Sequence, residues 1–265
     1  MIIVTFLYGL LMDYDNYAYV YIFPIMALLS IISIFTLSNI QYQEELIGNE
    51  SKNILTSIKE SALNLFSIIK TNKAYRHFEA GFMLYGFAFM ISITVITIFF
   101  ERTLHLNYSS VAFYKNSYYV IAIIILPFFG RLIGRIDPRK FAVITYISIA
   151  LHIFFIMLTQ YFPFHTEIYG IKIYYLLLLY ILFNALFAAT MSLLWNIGSA
   201  YYCKPEEAGS YQSVHLSLTG VRAMFAPLLG VLFYEMMGYT GSFLIAIGAL
   251  LIAIFIMIWS YRKKV

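Results

Sequence analysis

Four polar side chains, Gln212, His215, Thr219 and Arg222, follow one another at steps of three, four and three inside a run apolar enough to cross a bilayer. A helix lines such positions along one face, and a polar face in an apolar run requires water or a partner. Arg222 is the sharpest of the four. A guanidinium keeps its proton and costs roughly 2.5 to 3.5 kcal/mol at the centre of an inserting helix. A second polar stripe, Asn184, Ser192, Asn196 and Ser199, is interrupted by Ala188. Small polar groups at this spacing either satisfy one another between helices or line a cavity. Covalent chemistry has no comparable signal: His-Glu-x-x-His, Gly-x-Ser-x-Gly and paired-aspartate signatures are missing. The single cysteine, Cys203, excludes an internal disulfide and argues against a cysteine metal cluster. No catalytic residue, metal or cofactor is expected, and the chain is not read as an enzyme.

The elements that must position these residues follow from composition. Of the 265 residues 62% are hydrophobic, 19% aromatic and only 11% charged, whereas soluble domains carry about a quarter charged residues. This is an all-α integral membrane protein whose first partner is the lipid bilayer. The net charge of +4 sits in short clusters between apolar runs, the pattern of cytoplasmic helix ends and not of a nucleic-acid surface. Seven spans are predicted: Tyr17 to Ser38, Ala80 to Phe100, Ala112 to Ile133, Phe141 to Tyr161, Ile173 to Trp195 with its helix continuing to Tyr202, His215 to Met237, and Gly241 to Tyr261. Met1 to Met12 lacks the basic start of a signal peptide and reads as the end of a further membrane helix. Lysines and arginines concentrate after the first span, in Arg131 to Lys140 and at Arg262 to Lys264. The positive-inside rule puts these segments and the carboxyl terminus in the cytoplasm.

Between the first two spans, Ile54, Leu55, Ile58, Ala62, Leu65, Phe66 and Ile69 share one helical face, with Lys52, Lys59, Glu60 and Lys70 elsewhere. This predicts an amphipathic helix on the inner membrane surface. In the turn Gly130 to Lys140, Asp137 is placed to cap a helix beginning at Pro138. Pro24, Pro127 and Pro227 fall inside spans as candidate kinks, and Ala226 with Gly230 forms a close-packing pair.

The order of these features resembles the carboxyl-terminal half of a major facilitator superfamily transporter. The likeness covers about Tyr17 to Tyr261. It rests on the amphipathic connection, the basic glycine-containing turn Gly130 to Lys140, and the run Gly-Ser-Tyr-Gln, Leu-Thr-Gly-Val-Arg, Ala-Pro-Leu-Leu-Gly within Ala208 to Gly230. The family turn has an acid followed directly by arginine or lysine, whereas Pro138 separates Asp137 from Arg139 here. The resemblance implies that 1–39 is the end of an amino-terminal half, 40–77 a cytoplasmic linker and 78–265 a six-helix carboxyl-terminal bundle.

It also implies secondary transport of a small solute by alternating access, in what is expected to be a bacterial inner membrane. The candidate solute-facing wall is Arg222, Thr219, Asn184, Ser192, Tyr85 and Met90, with Arg222 suited to an anionic group. Arg222 has an equally direct alternative use in an internal ion pair or a carbonyl bond between helices. Proton-coupling candidates are Glu79 and Glu235, near helix ends where water reaches, and His152, expected to be a hydrogen-bonded interior histidine. The stripe on the penultimate helix is expected to wall a cytoplasm-facing cavity. The facing wall would come from an amino-terminal half or a second copy, and the competing reading is a non-transporting membrane subunit or a truncated remnant. The topology has a direct check. A cysteine introduced as Asn107→Cys should react with an impermeant thiol reagent from outside and Asn72→Cys should not; the opposite labelling inverts the map.

Overall fold

The computed structural model describes residues 2–15, 17–39 and 54–263, so the expectations for Met1, for the linker positions 40–53 including Lys52, and for Lys264 lie outside the described residues. The chain forms α1 (Ile2–Tyr14), α2 (Tyr19–Ser38), α3 (Ile54–Thr71), α4 (Lys73–Arg102), α5 (Tyr108–Ile133) and α6 (Pro138–Tyr161). There follow a hairpin of β1 (His165–Ile168) and β2 (Ile171–Tyr174), then α7 (Tyr175–Ile197) and α8 (Ala208–Arg262). Among the described residues six helices, α2 and α4 to α8, are long and apolar enough to span a membrane. The all-α membrane fold stands, with the ten-residue hairpin His165–Tyr174 as an addition.

Two expected spans lie within α8. Gly238 interrupts it with φ 69° and ψ −168°, a conformation that side-chain-bearing residues rarely adopt. The limb 208–237 runs parallel to α4, since His215 meets Glu79 and Gly230 meets Ile91. The limb 239–262 returns antiparallel to α6, with Thr240 against Tyr161 and Ser260 against Arg139. A single glycine therefore reverses the chain between two membrane crossings.

The same contacts sort the connections onto two ends. At one end Asn72 Nδ2 donates to the Tyr202 carbonyl (2.8 Å), Tyr201 Oη to the Ile133 carbonyl (3.0 Å), and Arg139 Nη1 to the Ser260 carbonyl (3.0 Å). We call this the basic end, because Lys73, Arg76, Arg135, Lys140, Arg262 and Lys263 lie on it. At the other, hairpin end, Asn107 Nδ2 donates to the Gly170 carbonyl (3.1 Å) and Lys172 Nζ to the His105 carbonyl (3.0 Å).

Local chemistry explains where helices start. Asn72, Asn107 and Asp137 each accept a backbone N–H of the first turn of α4, α5 and α6. Asp13 accepts from the Tyr108 and Ser109 amides at 2.7 and 2.8 Å, docking α1 on the start of α5. Asp137 also pairs with Arg139 at 2.9 Å across the intervening Pro138. Burial works to raise this carboxyl, but hydrogen bonds and charge from Arg139, with Lys140 adding to them, outweigh it and hold the carboxyl below its usual range.

Two boundaries differ from the sequence reading. Ile173 and Tyr174, expected to open a helix, belong to strand β2, because Tyr169 and Gly170 both take positive φ in a two-residue turn that closes a hairpin. At its other end α7 stops at Ile197, and Ser199–Tyr202 tightens into a 3₁₀ turn instead of continuing the helix. In α3, Leu65, Ile68 and Ile69 pack on the core, while Phe66, expected on the same face, is exposed. Helix α2 has no buried residue, so its apolar side chains are matched only by a hydrocarbon solvent.

The α4–α8 seam is the tightest packing relevant to the site. A Cβ placed on Gly230 would lie 3.0 Å from the Ile91 backbone, and Ala226 is fully buried one turn earlier. Gly230→Val should therefore lower stability by about 1–3 kcal/mol through overpacking. Gly220→Ala, which meets no neighbour within 4 Å, should be neutral or slightly stabilising. Thermal unfolding in detergent measures both, and equal melting temperatures for the two variants would contradict this seam.

Candidate functional site

The polar stripe of α8 turns inward onto α4. His215 Nδ1 lies 2.9 Å from Glu79 Oε1, with both side chains almost wholly enclosed. Arg222 is 2% exposed, and its Nη1 donates to the Phe82 carbonyl at 3.1 Å. Gly86 lies against the guanidinium so closely that a Cβ there would overlap it. On α4 the residues meeting the stripe, Glu79, Phe82 and Gly86, repeat its spacing of three and four, so two helical faces of matching period are zipped together. Glu79 is within electrostatic reach of Arg222.

Flanking groups seal this seam. Phe82 presents its ring to the His215 imidazole at 4.4 Å and to Tyr85 at 5.1 Å; Trp195 covers His215 at 5.1 Å. Tyr75 Oη donates to the Tyr211 carbonyl at 2.7 Å, and Gln212 bonds Ser199 and the Trp195 carbonyl. Thr219 returns its hydroxyl to the Leu216 carbonyl of its own helix. Within the described residues Glu79 Oε2, His215 Nε2 and Arg222 Nε have no hydrogen-bond partner. Attraction in such a dry site is strong, but so is the penalty for losing any one member.

A separate cavity of about 550 Å³ opens toward the hairpin end between α4, α5, α6 and α7. Its wall mixes aromatic and aliphatic side chains, with Ser92, His152 and Asn184 among its polar groups and exposed Glu101 and Lys115 as its charged ones. His152 is 5% exposed and neither ring nitrogen has a hydrogen-bond partner among the described residues. Tyr180 stands edge-on to the imidazole at 4.8 Å and receives the Asn184 amide at 3.4 Å. Tyr85, Phe89 and Phe187, with centroids 5.6 to 6.1 Å apart, form an aromatic layer linking the cavity to the seam.

The expected wall residues are thus split. Arg222, Thr219 and Tyr85 belong to the closed seam, Tyr85 stacked on Tyr146 at 5.3 Å and 7°. Asn184 lines the cavity. Met90 is half-buried and Ser192 exposed, both away from it. Glu235 is exposed near Gly238, within reach of solvent as expected. One expectation needs correction. Glu79 is buried at 2% and paired with His215 instead of standing in water, because α8 covers the start of α4. His152 is interior as expected, edged by Tyr180 and Phe187 and within reach of the Asn184 side chain. The cavity lies apart from the stripe of α8 and is lined toward the hairpin end. The sequence reading gave no role to Gly86 or Tyr180, nor to His215 as the partner of Glu79; the repeated spacing 79, 82, 86 was the available signal for the first and last. No group of three His, Cys, Asp or Glu among the described residues could hold a metal ion.

The family model described as Major Facilitator Superfamily matches residues 1–171 and again 81–265, so the two matches together cover the whole chain. Neither the curated proteins nor the solved structures give a match.

The seam generates a non-additive prediction. Gly86→Ala should cost about 1–3 kcal/mol by displacing the guanidinium, and Glu79→Ala about 3–5 kcal/mol by leaving buried charge unpaired. In an Arg222→Leu background the Gly86→Ala cost should fall by at least half, since the colliding group is gone. Additive losses in thermal unfolding of the double variant would show that Gly86 and Arg222 do not share a contact.

Proposed function

Because the chain belongs to the major facilitator superfamily, whose members are transporters, we propose that it carries a small solute across a membrane by secondary active transport with alternating access. The observation that carries this reading is the cavity of about 550 Å³ among four membrane helices, with buried polar groups at its wall and an aromatic layer closing it from the seam. Small-molecule sites are of this size and lining, mostly apolar with a few convergent polar groups. We assign solute contact to Asn184 and His152. Arg222, with Thr219 and Tyr85, acts in this reading as the pin that joins α4 to α8, and Met90 and Ser192 have peripheral roles.

Glu79 is the favoured proton-coupling residue, ahead of His152 and Glu235. Protonating its carboxylate removes the negative partner of His215 and weakens the hold of α8 on α4, so proton occupancy and helix position become linked. The chain division at 1–39, 40–77 and 78–265, and the basic end facing the cytoplasm of a bacterium, belong to the same proposal. The second wall would be contributed by an amino-terminal half or a second copy.

Uptake into proteoliposomes under an imposed proton gradient tests the proposal, using the chain alone and coexpressed with an amino-terminal half and a radiolabelled panel of amides, phenols and organic acids. Arg222→Ala should abolish uptake while still inserting, and Glu79→Gln should lose gradient-driven accumulation by tenfold or more while retaining solute exchange. Normal accumulation by both variants would overturn the roles assigned here. No uptake of any panel member in either format would overturn transport itself.

A further inference from the structure

We propose that the cavity at the hairpin end takes an uncharged solute with a planar, apolar body and one polar end that offers both a hydrogen-bond donor and an acceptor, seated on His152 and Asn184. The assignment rests on the transport reading only in taking this cavity as the solute site.

His152 supplies the first argument. Buried polar groups in folded proteins are almost always hydrogen-bonded, and each exception calls for an explanation. Here a 5% exposed imidazole makes no hydrogen bond of ordinary length among the described residues, with only Asn184 in reach, and lines a cavity large enough for a small molecule. A neutral imidazole donates from one nitrogen and accepts at the other. The two nitrogens point to diverging sides of the ring, so one solute atom meets one of them. A group with a donor and an acceptor on adjacent atoms, such as an amide, can meet His152 with one and Asn184 with the other. Asn184, one turn after Tyr180 on α7, brings a carboxamide to the same wall, with one donor engaged by the Tyr180 hydroxyl.

Charge supplies the second argument. The ionic side chains on the cavity wall, Glu101 and Lys115, are both exposed and opposite in sign. The polar groups set deeper, Ser92, His152 and Asn184, offer no fixed charge, so an ion drawn inside would lose its water without gaining a counter-ion. Arg222, the residue suited to an anion, lies in the seam with its guanidinium on the Phe82 carbonyl. Tyr118, Tyr119, Phe100 and Phe187 line the cavity and instead supply aromatic surface for the body of the solute.

Three matched probes decide the matter on the full chain in lipid nanodiscs: benzamide, benzoate and toluene, followed by ligand-observed NMR titration. Benzamide should bind saturably and at least tenfold more tightly than either of the others, a factor of the size that one or two satisfied hydrogen bonds supply. His152→Phe should weaken benzamide at least tenfold, and His152→Gln, which keeps a donor and an acceptor, should recover most of it. Ala188→Trp narrows the cavity without touching His152 and should also remove benzamide binding, with thermal unfolding confirming that each variant is folded. Tightest binding of benzoate, unchanged benzamide affinity in His152→Phe, or no binding of any probe would each overturn the assignment. Benzamide binding without uptake of any solute overturns transport and leaves this assignment standing. Uptake of another solute without benzamide binding overturns this assignment alone.

Discussion

The arrangement depends on a buried charge that has nowhere to go. Arg222 retains its proton in any environment a protein offers, and the structure encloses it between α4 and α8 with 2% of its surface exposed. The residues around it are consequences of that fact. Gly86 gives up a side chain to make room, Phe82 supplies a carbonyl, and Glu79 brings a negative charge within reach while accepting the proximity of His215. Where no water can screen, these contacts fix the register of two parallel helices more firmly than apolar packing alone, since a slip of one turn would take Arg222 off the Phe82 carbonyl and out of the space left by Gly86.

A division of labour along the membrane normal follows. The basic-end half of the α4–α8 seam is filled and polar, and the hairpin-end half of the bundle is hollow and aromatic. Tyr85, Phe89 and Phe187 stand between them. Tyr85 touches both regions, stacked on Tyr146 on the seam side and facing Phe187 on the cavity side. Tyr85 is thus the side chain through which the packing of the seam and the packing of the cavity wall meet.

Much of the fold could be read directly because a bilayer imposes so few solutions. Charge-free runs marked the membrane helices to within about seven residues, and Asp137 marked the cap of α6, whereas the caps Asn72 and Asn107 were not read. What escaped the reading has particular causes. Ile173 and Tyr174 at the end of β2 are apolar enough to pass for the start of α7, and only the Tyr-Gly pair before the strand carries turn information. The burial of Glu79 was hidden because helix-end position is a statement about one helix, whereas burial depends on the neighbour that covers it. For Arg222 the sequence offered two uses, solute contact and helix joining; the glycine cradle at Gly86 and the carbonyl of Phe82 favour the second. The cavity gathers residues from four helices separated by up to a hundred positions, so periodicity within any one helix holds no trace of it.

The reversal at Gly238 gives the bundle a mechanical property. Most antiparallel helices are tied by loops with slack, and each helix can then slide along its axis while the loop takes up the difference. Here one residue with φ 69° separates the limb 208–237 from the limb 239–262, and both limbs lie against α4. With no length to pay out, any axial travel of one limb would have to be taken up as rotation about Gly238, and the swing would grow with distance toward the basic end.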